Sequence, residues 1–288
     1  MIQISRQVLQ DYRRKTYLIS SRGKINSPLE AVKFINARGF IFFWPIKGID
    51  LPSLWVAAAG DRPVPDEHDD PGHKTWGWKD DGLGKRFWYY AKVLRHKGTF
   101  ISLETIPFFY ALSPNYGEPE QDYILQYQEG TLTSECKQVF EALLKEGPLD
   151  TISLRKAARI SSVGSEARYA KALDHLQGEL KILPVGTAEV GAWKYSYVYD
   201  LTHRHFPDLP VAARPISEST ARQELVSLYF SSVGAAPLSS IRRLFGWTQG
   251  EVEKTVKKMV NSGLYVDDLT IEGNKENYTG LKILVSGT

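Results

Sequence analysis

The chain has 288 residues, of which 42% are hydrophobic and 24% charged, with a net charge of +3 at pH 7. That length can bury a substantial core and divide into two or three small domains. No apolar run approaches a bilayer span, no basic-then-apolar leader opens the chain, and a single cysteine, Cys136, excludes an internal disulfide framework; a cytoplasmic protein is expected.

The positive charge gathers in the first sixty residues, through Arg6, Arg13, Arg14, Lys15 and others, while the following stretch is acidic. Ser5–Leu18 has helical character, with Val8, Leu9 and Tyr12 on one side. Ser27-Pro28-Leu29-Glu30 is a capping box with proline at the first helical position, and it opens a helix to about Arg38 that Gly39 can cap. Phe40–Trp44 then reads as an apolar strand closed by Pro45, and a short helix carries Leu54, Trp55 and Val56. Residues 1–60 are expected to form a winged-helix-like unit. Gly60–His73 is a loop in which His68 and His73 lie among Asp66, Glu67, Asp69 and Asp70. The spacing matches no familiar metal-ligand set, so a solvated acidic loop is expected and no metal.

Thr75–Tyr90 packs Trp76, Trp78, Phe87, Trp88, Tyr89 and Tyr90 with Lys79, Lys85 and Arg86. Aromatics interleaved with cations suit stacking of an unpaired base, and equally suit a domain core. Trp44, Trp76, Trp78 and Trp88 are the candidate base-stacking or cleft aromatics. The sequence suggests helix continuing through Ala91–Arg95, an apolar segment at Phe100–Leu112, and a linker at Leu125–Thr131. Residues 61–130 are expected to pack on the N-terminal unit as an aromatic-rich inter-domain segment.

A helix over Thr133–Lys145 turns Cys136, Val139, Phe140 and Leu143 to one face, which makes Cys136 a core residue. Next come a short helix (Leu154–Arg159), a Ser/Gly turn and a longer helix from about Ser165. In that longer helix Tyr169, Leu173, Leu176 and Leu180 form one apolar stripe. Two β-type runs follow, Lys181–Val185 and Trp193–Leu201. Helix, turn, helix and β-ribbon is winged-helix order, and residues 131–205 are read so, with Arg168, Lys171, Asp174 and His175 on the open face of the longer helix. His203–Pro215 reads as a connector.

Residues 216–288 repeat this order, which indicates a duplication. Thr220-x-x-Gln223 suggests a cap for a helix over Ala221–Ser231, and Arg242 and Arg243 lie in a short helix over Ser240–Phe245. Thr248-x-x-Glu251 caps a helix with Val252, Val256 and Met259 on one face and Lys254, Lys257 and Lys258 on the other. Leu264–Ile271 and Leu281–Val285 complete a hairpin. The expected fold is α+β, helix-rich, with tandem winged-helix domains.

The segments Gly39–Trp44, Leu54-Trp55, Trp78-Lys79-Asp80 and Tyr89-Tyr90-Ala91-Lys92, followed by helix-turn-helix units, resemble the AlkZ/YcaQ-type winged-helix DNA glycosylases, and more closely the AlkZ-related proteins grouped beside them. The resemblance implies tandem winged helices around a concave DNA channel. Active members of the family excise N7-alkylated purines and unhook crosslinks formed there. They carry Gln-x-Gln or Gln-x-Asp just after the glycine that ends the early helix. The matching positions here are Phe42 and Trp44, and neither ring accepts a proton from water. The further β-rich C-terminal domain of the active enzymes is also expected to be missing.

The leading expectation is therefore a DNA-binding protein without the standard glycosylase chemistry. It would use Arg168, Lys171, His175, Arg242, Arg243, Lys254, Lys257 and Lys258 on duplex, including damaged, DNA. One alternative is an active glycosylase with a substitute carboxylate, Asp80 or Asp50. Another is a winged-helix protein–protein module. No phosphate-binding glycine loop, zinc cysteine set or serine-hydrolase elbow is present, so no cofactor is expected, and no membrane partner.

Overall fold

The computed structural model describes residues 2–67, 69–115 and 117–285, in a mixed, helix-rich α+β fold. The chain divides into two compact units. One comprises Met1–Trp78, Phe100–Thr105 and Glu218–Thr288; the other comprises Lys79–Thr99 and Ile106–Ser217.

In the second unit, Thr133 caps the helix Ser134–Glu146 by accepting from the Cys136 backbone N–H. Asp150 caps the helix Thr151–Ala157 in the same way, through the N–H groups of Ile152 and Ser153. The helix Glu166–Gly178 follows. Its stripe residues Tyr169, Leu173 and Leu176 are buried, and Leu180, just past its end, is buried too. The stripe packs with Cys136, Val139, Phe140, Leu143, Leu154, Ile182 and Leu201 in one core. The strands Ile182–Ala188 and Ser196–Leu201 pair antiparallel, and Leu149–Asp150 joins the outer edge of the latter.

In the first unit the same succession recurs: helix Glu218–Val233, strand Ala235–Ala236, helices Leu238–Phe245 and Gln249–Asn261, then strands Tyr265–Ile271 and Tyr278–Leu281. Thr248 and Glu251 form the reciprocal capping box read from the sequence, and Val252, Val256 and Met259 are buried. One strand was not foreseen. Ile2–Ile4 pairs parallel with Leu269–Ile271, so the chain's first residues extend the sheet of its last module. Arg13 fixes this end: Nε donates to the Val233 carbonyl at 3.0 Å, Nη2 to the Ala235 carbonyl at 3.1 Å, and Nη1 pairs with Asp50 at 3.2 Å.

The helix Pro28–Arg38 begins on Ser27 and ends on Gly39, at φ +77°. A Cβ there would also lie 2.7 Å from Leu228 Cδ1 and 3.0 Å from Thr105 Oγ1, so glycine is required twice over. The strand Phe40–Phe42 follows, with all three side chains buried.

Several expectations are corrected. The supposed linker over 125–131 is largely helix, Pro119–Gln128, started by proline and by Glu120 and Asp122 in its first turn, with Tyr123 and Gln126 buried. Tyr89–Ala91 is a wholly buried strand rather than helix, and the positive φ of Arg95 and His96 ends any continuation. Thr220 lies inside the helix Glu218–Val233, and Gln223 Nε2 donates to Ser219 instead of completing a cap. The last strand stops at Leu281, and Lys282–Leu284 is a 3₁₀ turn. Part of the expected connector is the short helix Leu209–Ala213.

Leu176 is fully buried at the centre of the second unit's core. Leu176→Ala is expected to lower unfolding free energy by about 2–5 kcal/mol in urea titration, while Lys171→Ala on the exposed face stays within about 0.5 kcal/mol.

Candidate functional site

Packing sets what each third helix shows to solvent. In Gln249–Asn261 the buried stripe leaves Lys254, Lys257 and Lys258 exposed. They do not form one equivalent patch. Lys258 Nζ donates to Ser219 Oγ at 2.7 Å, on the neighbouring helix. Lys257 lines a groove of about 680 Å³ whose wall also carries Glu253, Asp267, Asp268 and Glu276. Those carboxylates come from the helix and from the hairpin beside it, and they offset the charge of Lys257. Lys254 makes no ion pair among the described residues. Arg242 and Arg243 are exposed on the short helix, where Arg243 Nη1 donates to the Gly48 carbonyl at 3.0 Å.

In Glu166–Gly178, Arg168 and Lys171 are exposed and His175 is half-buried. Arg168 pairs with Glu135 at 3.2 Å, and Lys171 has no ion-pair partner among the described residues. His175 Nε2 lies 2.9 Å from Glu179, and this hydrogen bond raises its pKa, which favours the cationic form. Sequence reasoning missed a second basic surface in this unit. A groove of about 780 Å³ between the helices Ser134–Glu146 and Thr151–Ala157 carries Lys145, Lys156 and Arg159, with Glu141 and Glu146 as its acids.

The candidate aromatics separate. Phe43, Trp44 and Trp76 form a half-open cluster in the first unit, with ring centroids of Trp44 and Trp76 5.7 Å apart and Phe43 stacked on Trp44 at 4.9 Å. The Trp44 indole N–H is buried without a hydrogen-bond partner among the described residues. Trp78 carries the Lys74 ammonium over its ring at 5.3 Å. Trp88 is a correction. It is fully buried in the second unit against Gly82, where an added Cβ would come within 2.2 Å of the indole, so it packs and cannot stack a base. Phe42 is likewise buried. Asp50 is exposed and engaged by Arg13.

Of the acidic loop, Asp70 grips Arg62 through both oxygens and His73 sits against the Trp55 ring, while His68 lies outside the described residues. Among the described residues no group of three or more His, Cys, Asp or Glu side chains could hold a metal ion. None of their helices is long and apolar enough to cross a membrane.

Asp80 belongs to an unforeseen cluster. Lys79, in the helix Lys74–Gly84, is 0% exposed. Its ammonium donates to Asp80 Oδ1 at 2.7 Å, to the Tyr195 hydroxyl at 3.0 Å and to the Tyr197 hydroxyl. It also lies over the rings of Tyr197 at 4.4 Å, Tyr90 at 5.5 Å and Tyr195 at 5.7 Å. The Tyr195 hydroxyl in turn donates to Asp80 at 3.0 Å. Burial pulls the Lys79 pKa down to about 8, against the opposing pull of Asp80. Burial likewise holds the Tyr90 and Tyr197 hydroxyls protonated well above the usual phenol range. The arrangement pins the helix to the ribbon strand that carries Tyr197, and it occupies the Asp80 oxygen that a substitute catalyst would need.

A repeated helix–strand–helix–helix–ribbon module, with cations on the open face of each third helix, is thus the common design of the two units. A sequence profile described as AlkZ related matches residues 25–246, most of the chain, and the protein belongs to that family. Among solved structures it is similar to Streptomyces sahachiroi DNA glycosylase AlkZ, with a TM-score of 0.61 and 10% sequence identity, over 99% of this chain and 72% of that one. At that identity the likeness is one of fold. No curated protein sequence matches.

Because Lys79 titrates near 8 in the fold and near 10.5 when unfolded, the unfolded chain binds more protons between those values, and stability rises with pH across that window. Wild type should therefore gain, by on the order of 2 kcal/mol, on Lys79→Met between about pH 7.5 and pH 10 in paired denaturation curves. A constant difference between the two proteins would show that the buried amine does not titrate in that range.

Proposed function

We propose that this AlkZ-related protein binds duplex DNA, damaged duplex included, through modules that act as winged helices and without the Gln-dependent base excision of the AlkZ/YcaQ-type glycosylases. The observation that carries the reading is the repeated module whose third helix buries an apolar stripe and leaves Arg168, Lys171, Lys254, Lys257 and Lys258 in solvent. A third helix of this kind commonly enters the major groove, and exposed cations meet phosphates there. The proposed divisions are a winged-helix-like unit over 1–60, an aromatic-rich segment over 61–130, and winged helices over 131–205 and 216–288. A reduced, buried Cys136 fits action in the cytoplasm.

Several features support the absence of the standard chemistry. Water attack on a sugar carbon needs a proton acceptor beside the water. Positions 42 and 44 supply a phenyl ring and an indole, and Phe42 is sealed in the core. Asp80 is held by Lys79 and Tyr195, and Asp50 by Arg13. Incubation with N7-alkylated duplex is expected to leave no abasic sites. Base release by the wild type that Asp80→Asn stops would overturn this part of the reading.

For binding, the combined charge reversal Lys254→Glu, Lys257→Glu and Lys258→Glu should abolish retention on DNA at moderate salt. Among the single changes, Lys254→Glu should cost more than Lys257→Glu, whose lysine already faces carboxylates. Removing one lysine–phosphate pair should flatten the log K against log salt plot by about 0.9. The measurement is fluorescence anisotropy over a salt series, and an unchanged slope in the triple variant would remove these helices from the interface.

A further inference from the structure

We infer that Trp193 is a nucleobase-stacking residue carried at the tip of the second unit's ribbon. The inference rests on the DNA-binding reading above and adds to it a specific stacking partner and a preference for unpaired bases.

The ribbon strands Ile182–Ala188 and Ser196–Leu201 stay paired out to Ala188 and Ser196, and the loop beyond them ends in a turn over residues 191–194. That turn is closed by the Lys194 N–H donating to the Gly191 carbonyl at 3.1 Å. Gly191 and Lys194 both take positive φ, +80° and +49°, which tightens the turn around Trp193. The Trp193 side chain is left 88% exposed. Tryptophan is highly buried on average and favoured at interfaces, and the other six tryptophans of the chain are buried or half-buried.

The turn is also braced. Ile152, on the helix Thr151–Ala157, brings its Cδ1 within 3.2 Å of where a Gly191 Cβ would stand. At the other end of the loop, Tyr195 and Tyr197 are locked to Lys79 and Asp80. The ring is thus presented on a fixed support, and a stacking interaction made by it costs little conformational freedom.

Charge selects a nucleobase over a protein surface. Lys194, directly beside the ring, is exposed and has no ion pair among the described residues. The same holds for Lys156, Arg159 and Lys171 in this unit. The one carboxylate of the loop, Glu189, is at its opposite end. An indole flanked by an unneutralised ammonium is the combination that takes a base face and its adjoining phosphate together. Aromatic or apolar side chains also enter helical DNA most readily where stacking is already weakened.

The test compares two duplexes of equal length, one fully paired and one with a single unpaired base. Trp193→Ala should weaken binding to the second by ~10-fold or more, with a smaller effect on the first, and Trp193→Phe should restore most of it. Because the ring is exposed, these variants should keep the wild-type melting temperature. In protein labelled with fluorotryptophan, the ¹⁹F resonance missing from Trp193→Phe should shift when the second duplex is added. If wild type binds both duplexes, Trp193→Ala binds them equally well and the resonance stays in place, the inference is wrong and the DNA-binding reading stands. If wild type binds neither duplex, that reading falls and takes this one with it.

Discussion

Burying the stripe Tyr169, Leu173 and Leu176 turns the opposite face of the helix Glu166–Gly178, with Arg168 and Lys171, to water. The same constraint acts on Gln249–Asn261 through Val252, Val256 and Met259. A helix has one rotational setting that satisfies its core, so the core residues also fix where Lys171 and Lys254 point. Function in such a module is therefore decided by packing before any ligand arrives. Changing an exposed lysine alters the surface alone, whereas changing a stripe residue rotates or loosens the surface itself.

The two copies of the module use that freedom differently. In the first unit the groove beside the third helix is walled by Glu253, Asp267, Asp268 and Glu276. Phosphate would meet a mixed field there, and Lys254 contributes the uncompensated charge. In the second unit the ribbon is instead fastened by a buried ammonium. Lys79 gives up its hydration for one carboxylate, two hydroxyls and three ring faces. Desolvating a charge is costly unless its partners are this complete. Such an arrangement is better suited to fixing one geometry than to adding stability, and the geometry it fixes is that of the ribbon carrying Tyr195 and, beyond it, Trp193.

How much of this could be read from the chain depends on sequence distance. The stripes and the Thr248 capping box were legible because helical periodicity and capping act over three to eleven residues. The buried stretch Tyr89–Ala91 was not, since an apolar run hidden on all sides has no period that separates strand from helix. Trp88 and Trp193 show the limit for aromatics: composition groups them alike, yet one ring fills the space over Gly82 and the other stands in water. The Lys79 cluster lay out of reach because Tyr195 and Tyr197 are more than a hundred positions away along the chain. Glu253, four residues before Lys257 on its own helix, is a local neighbour, but Asp267, Asp268 and Glu276 come from the hairpin, whose approach no local pattern encodes.

Aromatic residues at positions 42 and 44 bear on chemistry through the same packing. The strand Phe40–Phe42 is buried throughout, and Phe43 makes edge-on ring interactions with Phe100 and Trp76. A glutamine at 42 would place an amide in an apolar core, where its donors and acceptor would be desolvated. The core would lose stability and the amide would still not reach a water. Position 44 differs, because Trp44 is only half-buried and belongs to an aromatic cluster with Trp76. Position 42 is therefore committed to the core, whereas position 44 lies beside a partly open aromatic surface. That surface offers ring faces and no proton acceptor, so what position 44 contributes to this fold is packing and exposed aromatic area rather than a base.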